Sequence, residues 1–210
     1  MYDGNPRTHL IRASALLASA SENDYATLRY AALDTRLAVE TTLQEVLSSC
    51  YVGYEPNFES LWRPKGKAKT PSFISSIRKQ QPDFDLKNQL VPVVLKKKQK
   101  IMDYPAMDLD RLATIHHSLG GHLHHGSRYE TKKARTRTKD LDKLLREALS
   151  YLTHLLHYPR YWVEFYDQDQ KRFEDVVAGK FPIADFVRHI ERGGLKSFAI
   201  KNVHHLQEGA

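Results

Sequence analysis

Through most of the chain, apolar residues recur every three or four positions, the spacing that gives a helix one apolar face. Between residues 24 and 47, Leu28, Ala32, Val39, Leu43 and Val46 keep this spacing, and Tyr30, Leu33 and Leu37 widen the face. A face that broad needs neighbours on two sides, as helices in a bundle have. A shorter helix is predicted over His9–Ser19, with Leu10, Ala13, Leu16 and Leu17 on one side. Ser21-Glu22-Asn23-Asp24 supplies the break and the cap chemistry between the two. The cleanest amphipathic pattern runs over Asp140–His157, through Leu141, Leu144, Leu145, Ala148, Leu149, Leu152, Leu155 and Leu156, and Pro159 stops it. Pro71-Ser72 opens another short helix, Ser72–Gln81.

The pattern weakens between these segments. Gly53–Lys69 reads as irregular, and Leu90–Leu95 as an extended run that Pro92 demotes to an edge strand or a loop. Ser127–Lys139 reads as a basic connection. The last fifty or so residues change character: Tyr161–Tyr166 is rich in β-formers, Asp167–Gln170 is a turn, and Arg172–Val177 a returning strand. Ile183, Phe186, Val187 and Ile190 mark a short helix closed by Gly193-Gly194, and Leu195–Ile200 a third strand. The expected fold is mainly α: a bundle of four to five helices over residues 1–158, then a small mixed α/β appendage of ββαβ type over 159–210.

One segment combines helical spacing with candidate chemistry. Asp108–Gly126 holds five of the eleven histidines. On an ideal helix Leu109, Leu112, Leu119 and Leu123 fall on one stripe, with His116 inside it. Arg111 lies on another face with Ser118, His122 and His125, while His117 and His124 share a third. Imidazole exchanges protons near neutrality, so this density invites an acid–base reading. The competing reading is a polar seam between helices.

Charge adds a partner class. The net charge is +7 and the pI near 9.4, with positive charge concentrated at Lys96, Lys97, Lys98 and Lys100, and again at Lys132, Lys133, Arg135 and Arg137. Clusters of this sign suit nucleic acid, the alternative being two solvated basic loops. Basic residues also adjoin aromatics at Arg160-Tyr161-Trp162 and Lys171-Arg172-Phe173, where bases could stack, although aromatics in strands more often belong to a core.

The single cysteine, Cys50, excludes an intramolecular disulfide and points to a reducing compartment. No apolar run approaches the length needed to cross a bilayer, and Ala13–Ala20 reads as helix rather than as a signal peptide, so a cytoplasmic protein is expected. Phosphate-binding loops, dinucleotide fingerprints, H-E-x-x-H and G-x-S-x-G elbows are all missing from the sequence. His122 and His125 have ligand spacing but no carboxylate or cysteine to complete a zinc site, so neither metal nor cofactor is expected.

The segment L-R-Y-A-A-L-D-T-R-L-A-V-E-T-T-L-Q-E-V-L, with Arg36 and Glu40 four positions apart, resembles the long early helix of HEPN domains. Arg111-Leu-Ala-Thr-Ile-His116 is similar to their arginine–histidine signature, and Arg111 to His117 fits its longer form. The resemblance spans residues 8–158. It implies an all-helical bundle, a homodimer, and one of two functions. One is a metal-independent endoribonuclease of toxin or antiphage type, in which Arg111 holds the scissile phosphate and His116, His117 or His124 moves the proton. The other is a non-catalytic module that binds nucleic acid or a partner protein in a defence or toxin–antitoxin system. The sequence departs from the active pattern at Leu112, where a polar residue is usual. Registering His124 as the family histidine would put Ser118 in the place of the arginine.

Overall fold

The computed structural model describes residues 5–21, 24–50, 70–124 and 131–202, and for residues 70–72, 124, 131–135 and 202 the backbone alone. The described residues are mainly helical, with a two-stranded antiparallel sheet near the C-terminus. The elements are α1 (Pro6–Ser19), α2 (Tyr25–Cys50), α3 (Thr70–Gln80), α4 (Phe84–Gln99), α5 (Leu109–His124), α6 (Thr131–His157), β1 (Tyr161–Phe165), α7 (Asp167–Val177), α8 (Ile183–Glu191) and β2 (Phe198–Asn202). Gly53–Lys69 lies outside the described residues. No described helix is long and apolar enough to cross a membrane.

Local signals cap the first two helices, and α1 begins at Pro6, three residues before the expected His9. The Asn5 side chain accepts the Arg7 N–H at the head of α1, with Pro6 in the first turn. Asp24 accepts both the Thr27 N–H, at 2.9 Å, and its hydroxyl, at 2.6 Å, ahead of α2. These bonds, the hydroxyl's first, hold the Asp24 carboxyl below its usual range. Further along, α6 begins well before the predicted Asp140. Thr138 continues the buried row of Leu141, Leu145, Ala148, Leu149 and Leu152, so residues 131–139 are helix rather than a connection.

The chain divides into two compact units. One comprises residues 1–48, 55–76 and 108–157, the other residues 49–54, 77–107 and 158–210. Residues 77–107, assigned from sequence to the bundle, therefore group with the C-terminal region. The reason is a shared core: Leu90, Val91, Val94 and Leu95 of α4 pack with Val163, Phe165, Phe173, Val176, Phe186, Ile190 and Leu195.

That core also explains two corrections. Leu90–Leu95 is helical in spite of Pro92. An interior proline costs about 3 kcal/mol, whereas each fully buried aliphatic side chain contributes about 1.5–3 kcal/mol, and four of them outweigh it. Asp167–Val177 is a helix where a turn and a strand were expected, because Asp169, Phe173 and Val176 share one buried helical face. β1 therefore pairs with the distant β2, Val163 opposite Ile200 and Phe165 opposite Phe198, and the order is β-α-α-β rather than ββαβ.

α4 ends on Lys100 in the left-handed region (φ 59°), its N–H bonded to the Leu95 carbonyl. A lysine pays roughly 1 kcal/mol for this conformation, which glycine adopts freely. Lys100→Gly is expected to raise the thermal midpoint by a few degrees, and Lys100→Ala to leave it unchanged, since alanine keeps the Cβ. Thermal denaturation followed by circular dichroism checks both.

Candidate functional site

Asp108 starts the histidine helix by accepting the Arg111 N–H at 2.8 Å. Leu109, Leu112 and Leu119 of the predicted stripe are buried along one side of α5, Leu123 is half-buried, and Ile115, outside the stripe, is buried as well. Arg111 points elsewhere. Its side chain is exposed, and its guanidinium carbon stands 4.1 Å from the centre of the Tyr151 ring. Tyr151 in turn accepts the Asp108 N–H at 3.1 Å, and burial pushes its phenol up. Five residues of helix put Arg111 and His116 about 140° apart around the axis, so they do not share a cleft. His117 is exposed on a third face. His124 ends the helix, and its side chain, like His125, lies outside the described residues.

His116 is 7% exposed and turned toward α2. Its Nε2 lies 2.6 Å from Glu40 Oε1 and 2.8 Å from Arg36 Nε, which is itself 3.1 Å from Glu40 Oε1. Nε2 donates to Glu40 when it carries a proton and accepts from Arg36 when it does not. Burial alone would push the Glu40 carboxyl up. The His116 hydrogen bond and the charges of His116 and Arg36 outweigh it and hold the carboxyl below the usual range. Gly120, one turn after His116, makes room for this cluster: a Cβ there would stand 3.3 Å from an Arg36 guanidinium nitrogen. At the other end of the seam Tyr25 Oη lies 3.4 Å from His122 Nδ1, and Arg29 donates to the Leu123 carbonyl at 2.7 Å. The structure thus joins His116 to Arg36 and Glu40, the i,i+4 pair of the sequence, and leaves Arg111 out.

Two similar trios escaped the sequence reading. His9, 1% exposed, stands 3.2 Å from Asp34, while Arg12 bonds Asp34 at 2.7 Å and His9 at 2.8 Å. In the second unit His189 lies between Asp169 and Arg172. Each trio places two members three or four residues apart on one helix and brings the third from another. A titratable pair at that spacing, with one member on an apolar stripe, was the signal available.

The basic candidates are mostly exposed. Lys96, Lys97 and Lys100 extend from the end of α4. Lys98 is tied to its own unit, 3.3 Å from the Leu195 carbonyl and 5.1 Å from the centre of the Phe198 ring. Arg137 is exposed on α6. Lys132, Lys133 and Arg135 lie on the same helix, with side chains outside the described residues. The basic–aromatic runs do not form a stacking platform. Phe173 is core, and Trp162 packs on Phe84 with Lys87 over its ring. Cys50 is half-buried, and burial pushes its thiol up to about 11, which makes it a poor nucleophile.

No family model, no curated protein and no solved structure matches the chain.

Proposed function

We propose that this chain is a HEPN-like nucleic-acid-binding protein, acting on RNA as a cytoplasmic homodimer, whose histidine helix is an internal joint rather than an Arg111–histidine nuclease site. The observation that carries the binding half is the end of α4. Lys96, Lys97 and Lys100 are exposed there within five residues, and among the described residues no carboxylate pairs with them. A net charge of +7 supports the same partner class. The divergence of Arg111 and His116 supports the non-catalytic half.

One observation favours a second reading, an endoribonuclease centred on His116. Arg36 and Glu40 keep side-chain exposures of 23% and 16% beside it, enough for a phosphodiester to reach their rim. His116 would then move the 2′-hydroxyl proton, Glu40 would orient the imidazole and Arg36 would hold the phosphate.

Fluorescence anisotropy with a labelled single-stranded RNA, titrated with salt and followed by gel analysis in EDTA, separates the readings. Binding that weakens with salt, without cleavage, is expected. For the Lys96→Gln/Lys97→Gln/Lys100→Gln variant the log–log salt slope should fall by about 2, at roughly 0.7 per phosphate contact. Salt-independent or undetectable binding overturns the first reading. Cleavage in EDTA that Arg36→Ala and His116→Ala abolish and Arg111→Ala spares establishes the second.

A further inference from the structure

The trio in the second unit differs from the other two in leaving its imidazole open to solvent, 24% of the His189 side chain against 1% for His9 and 9% for His116. Asp169 and Arg172 stand three residues apart on α7, and α8 places His189 between them. Asp169 is 2% exposed, and its Oδ2 accepts the Lys196 N–H at 2.7 Å and the Ser197 N–H at 2.8 Å, which fixes the carboxylate. Its Oδ1 stands 3.5 Å from His189 Nε2. The imidazole lies nearly parallel to the Phe186 ring, 6.3 Å between centroids and 16° between planes. Its other side fills the space a side chain at position 194 would need, since a Cβ on Gly194 would fall 2.2 Å from His189 Cε1. The ring is thus held by Phe186, Gly194 and Asp169, with a quarter of its side chain still open to solvent.

Arg172 is exposed, and its NH1 stands 2.6 Å from His189 Nε2 and 3.2 Å from Nδ1. Among the described residues no carboxylate lies within ion-pair distance of its guanidinium. The guanidinium N–H can bond only a ring nitrogen that carries no proton. The same Nε2 cannot accept from Arg172 and donate to Asp169 at once. In the neutral ring one nitrogen always remains to accept from Arg172; only the imidazolium, with Nε2–H turned to Asp169 and Nδ1–H beside the guanidinium, leaves the fork without an acceptor. A tetrahedral oxyanion satisfies both, through charge-assisted bonds stronger than the guanidinium–imidazole contact they replace. The nearby pair Asp185–Arg188 on α8 is closed on itself and does not compete.

We propose that Arg172 and His189, backed by Asp169, form a seat for a phosphate group. The seat does not depend on RNA binding by Lys96–Lys100. Its source is either a phosphate monoester or the phosphodiester of a nucleic-acid strand, and the test has an arm for each.

The test is a two-dimensional NMR titration of the full chain, with the His189 ring signals assigned by their loss in His189→Gln. Sodium phosphate is compared with sodium chloride at equal ionic strength. A saturable shift of the His189 ring signals with phosphate alone is expected. It should vanish in Arg172→Gln, whose amide spectrum elsewhere is unchanged, and weaken about tenfold in Arg172→Lys, which keeps the charge but loses the fork. A 5′-phosphorylated oligoribonucleotide that shifts these signals where its 5′-hydroxyl counterpart does not identifies a monoester seat. Equal shifts by both identify the phosphodiester. Equal response to phosphate and chloride, or an Arg172→Gln response like that of wild type, overturns the proposal and leaves the trio a structural pin.

Discussion

Glu40→Ala is expected to destabilise the first unit by about 2–3 kcal/mol, the cost of removing the charged acceptor of two part-buried hydrogen bonds. The loss falls on what remains rather than on what is removed. His116 and Arg36 would keep their places with no anion between them, and leaving a polar group unsatisfied costs more than replacing both partners. The double variant Glu40→Ala/His116→Leu should therefore recover part of the loss, and a double-mutant cycle by urea denaturation measures how much. Glu40→Gln, which keeps an acceptor oxygen, should lose less. pH adds a sign. The folded Glu40 carboxyl lies below its ordinary value of 4.5, so the unfolded chain binds the proton more readily. Its stabilisation is complete above that value and is lost as pH falls through the lower folded one. The gap between wild type and Glu40→Ala should then close in acid. A gap that persists unchanged would mean the carboxylate contributes through packing alone. Arg36→Ala should show a smaller loss of the same kind, and Gly120→Ala should displace the guanidinium it touches.

In the second unit Asp169→Ala should cost about 2–4 kcal/mol, because the carboxylate accepts two backbone N–H groups at short distance, and bonds to charged groups contribute about 1.5–3 kcal/mol each before non-additivity. Those N–H groups belong to Lys196 and Ser197, in the segment that leads into β2, so the damage should spread along the β1–β2 pairing. Amide hydrogen exchange is the measurement: protection should fall at residues 196–200 and hold in the middle of α4. Uniform loss of protection across the unit would show instead that Asp169 acts on the whole core. Burial would push this carboxyl up, but the Ser197 and Lys196 N–H groups and then His189 outweigh it and hold it below its ordinary 3.8. Its contribution is therefore also present above that value and lost in strong acid. Asp169→Asn keeps one acceptor oxygen and should lose about half as much.

Much of the helical architecture was legible because its signals are local. The Asp24 cap, the apolar spacing of α2 and the leucine row of α6 each act within a few residues, whereas α1, capped by Asn5, and α6 both begin before the bounds that apolar spacing gave them. The leucine stripe of α5 was legible too, and so was the conflict it contains, an arginine–histidine spacing whose histidine sits among the buried leucines. The sequence thus determined the helical class, the amphipathic face of α5 and the pairing of Arg36 with Glu40.

Only the tertiary structure decided where those polar groups meet. α4 is helical through Pro92, and residues 167–177 are helical despite their β-rich surroundings, because burying Leu90, Val91, Val94, Leu95, Phe173 and Val176 in one core outweighs local preference. The same packing moves residues 77–107 out of the bundle. It also sets each of the three histidines between an arginine and a carboxylate that lie 17 to 80 positions away along the chain in at least one case each. Spacing on one helix can put two groups on a face; the third comes from another helix, at a distance along the chain that no periodicity encodes.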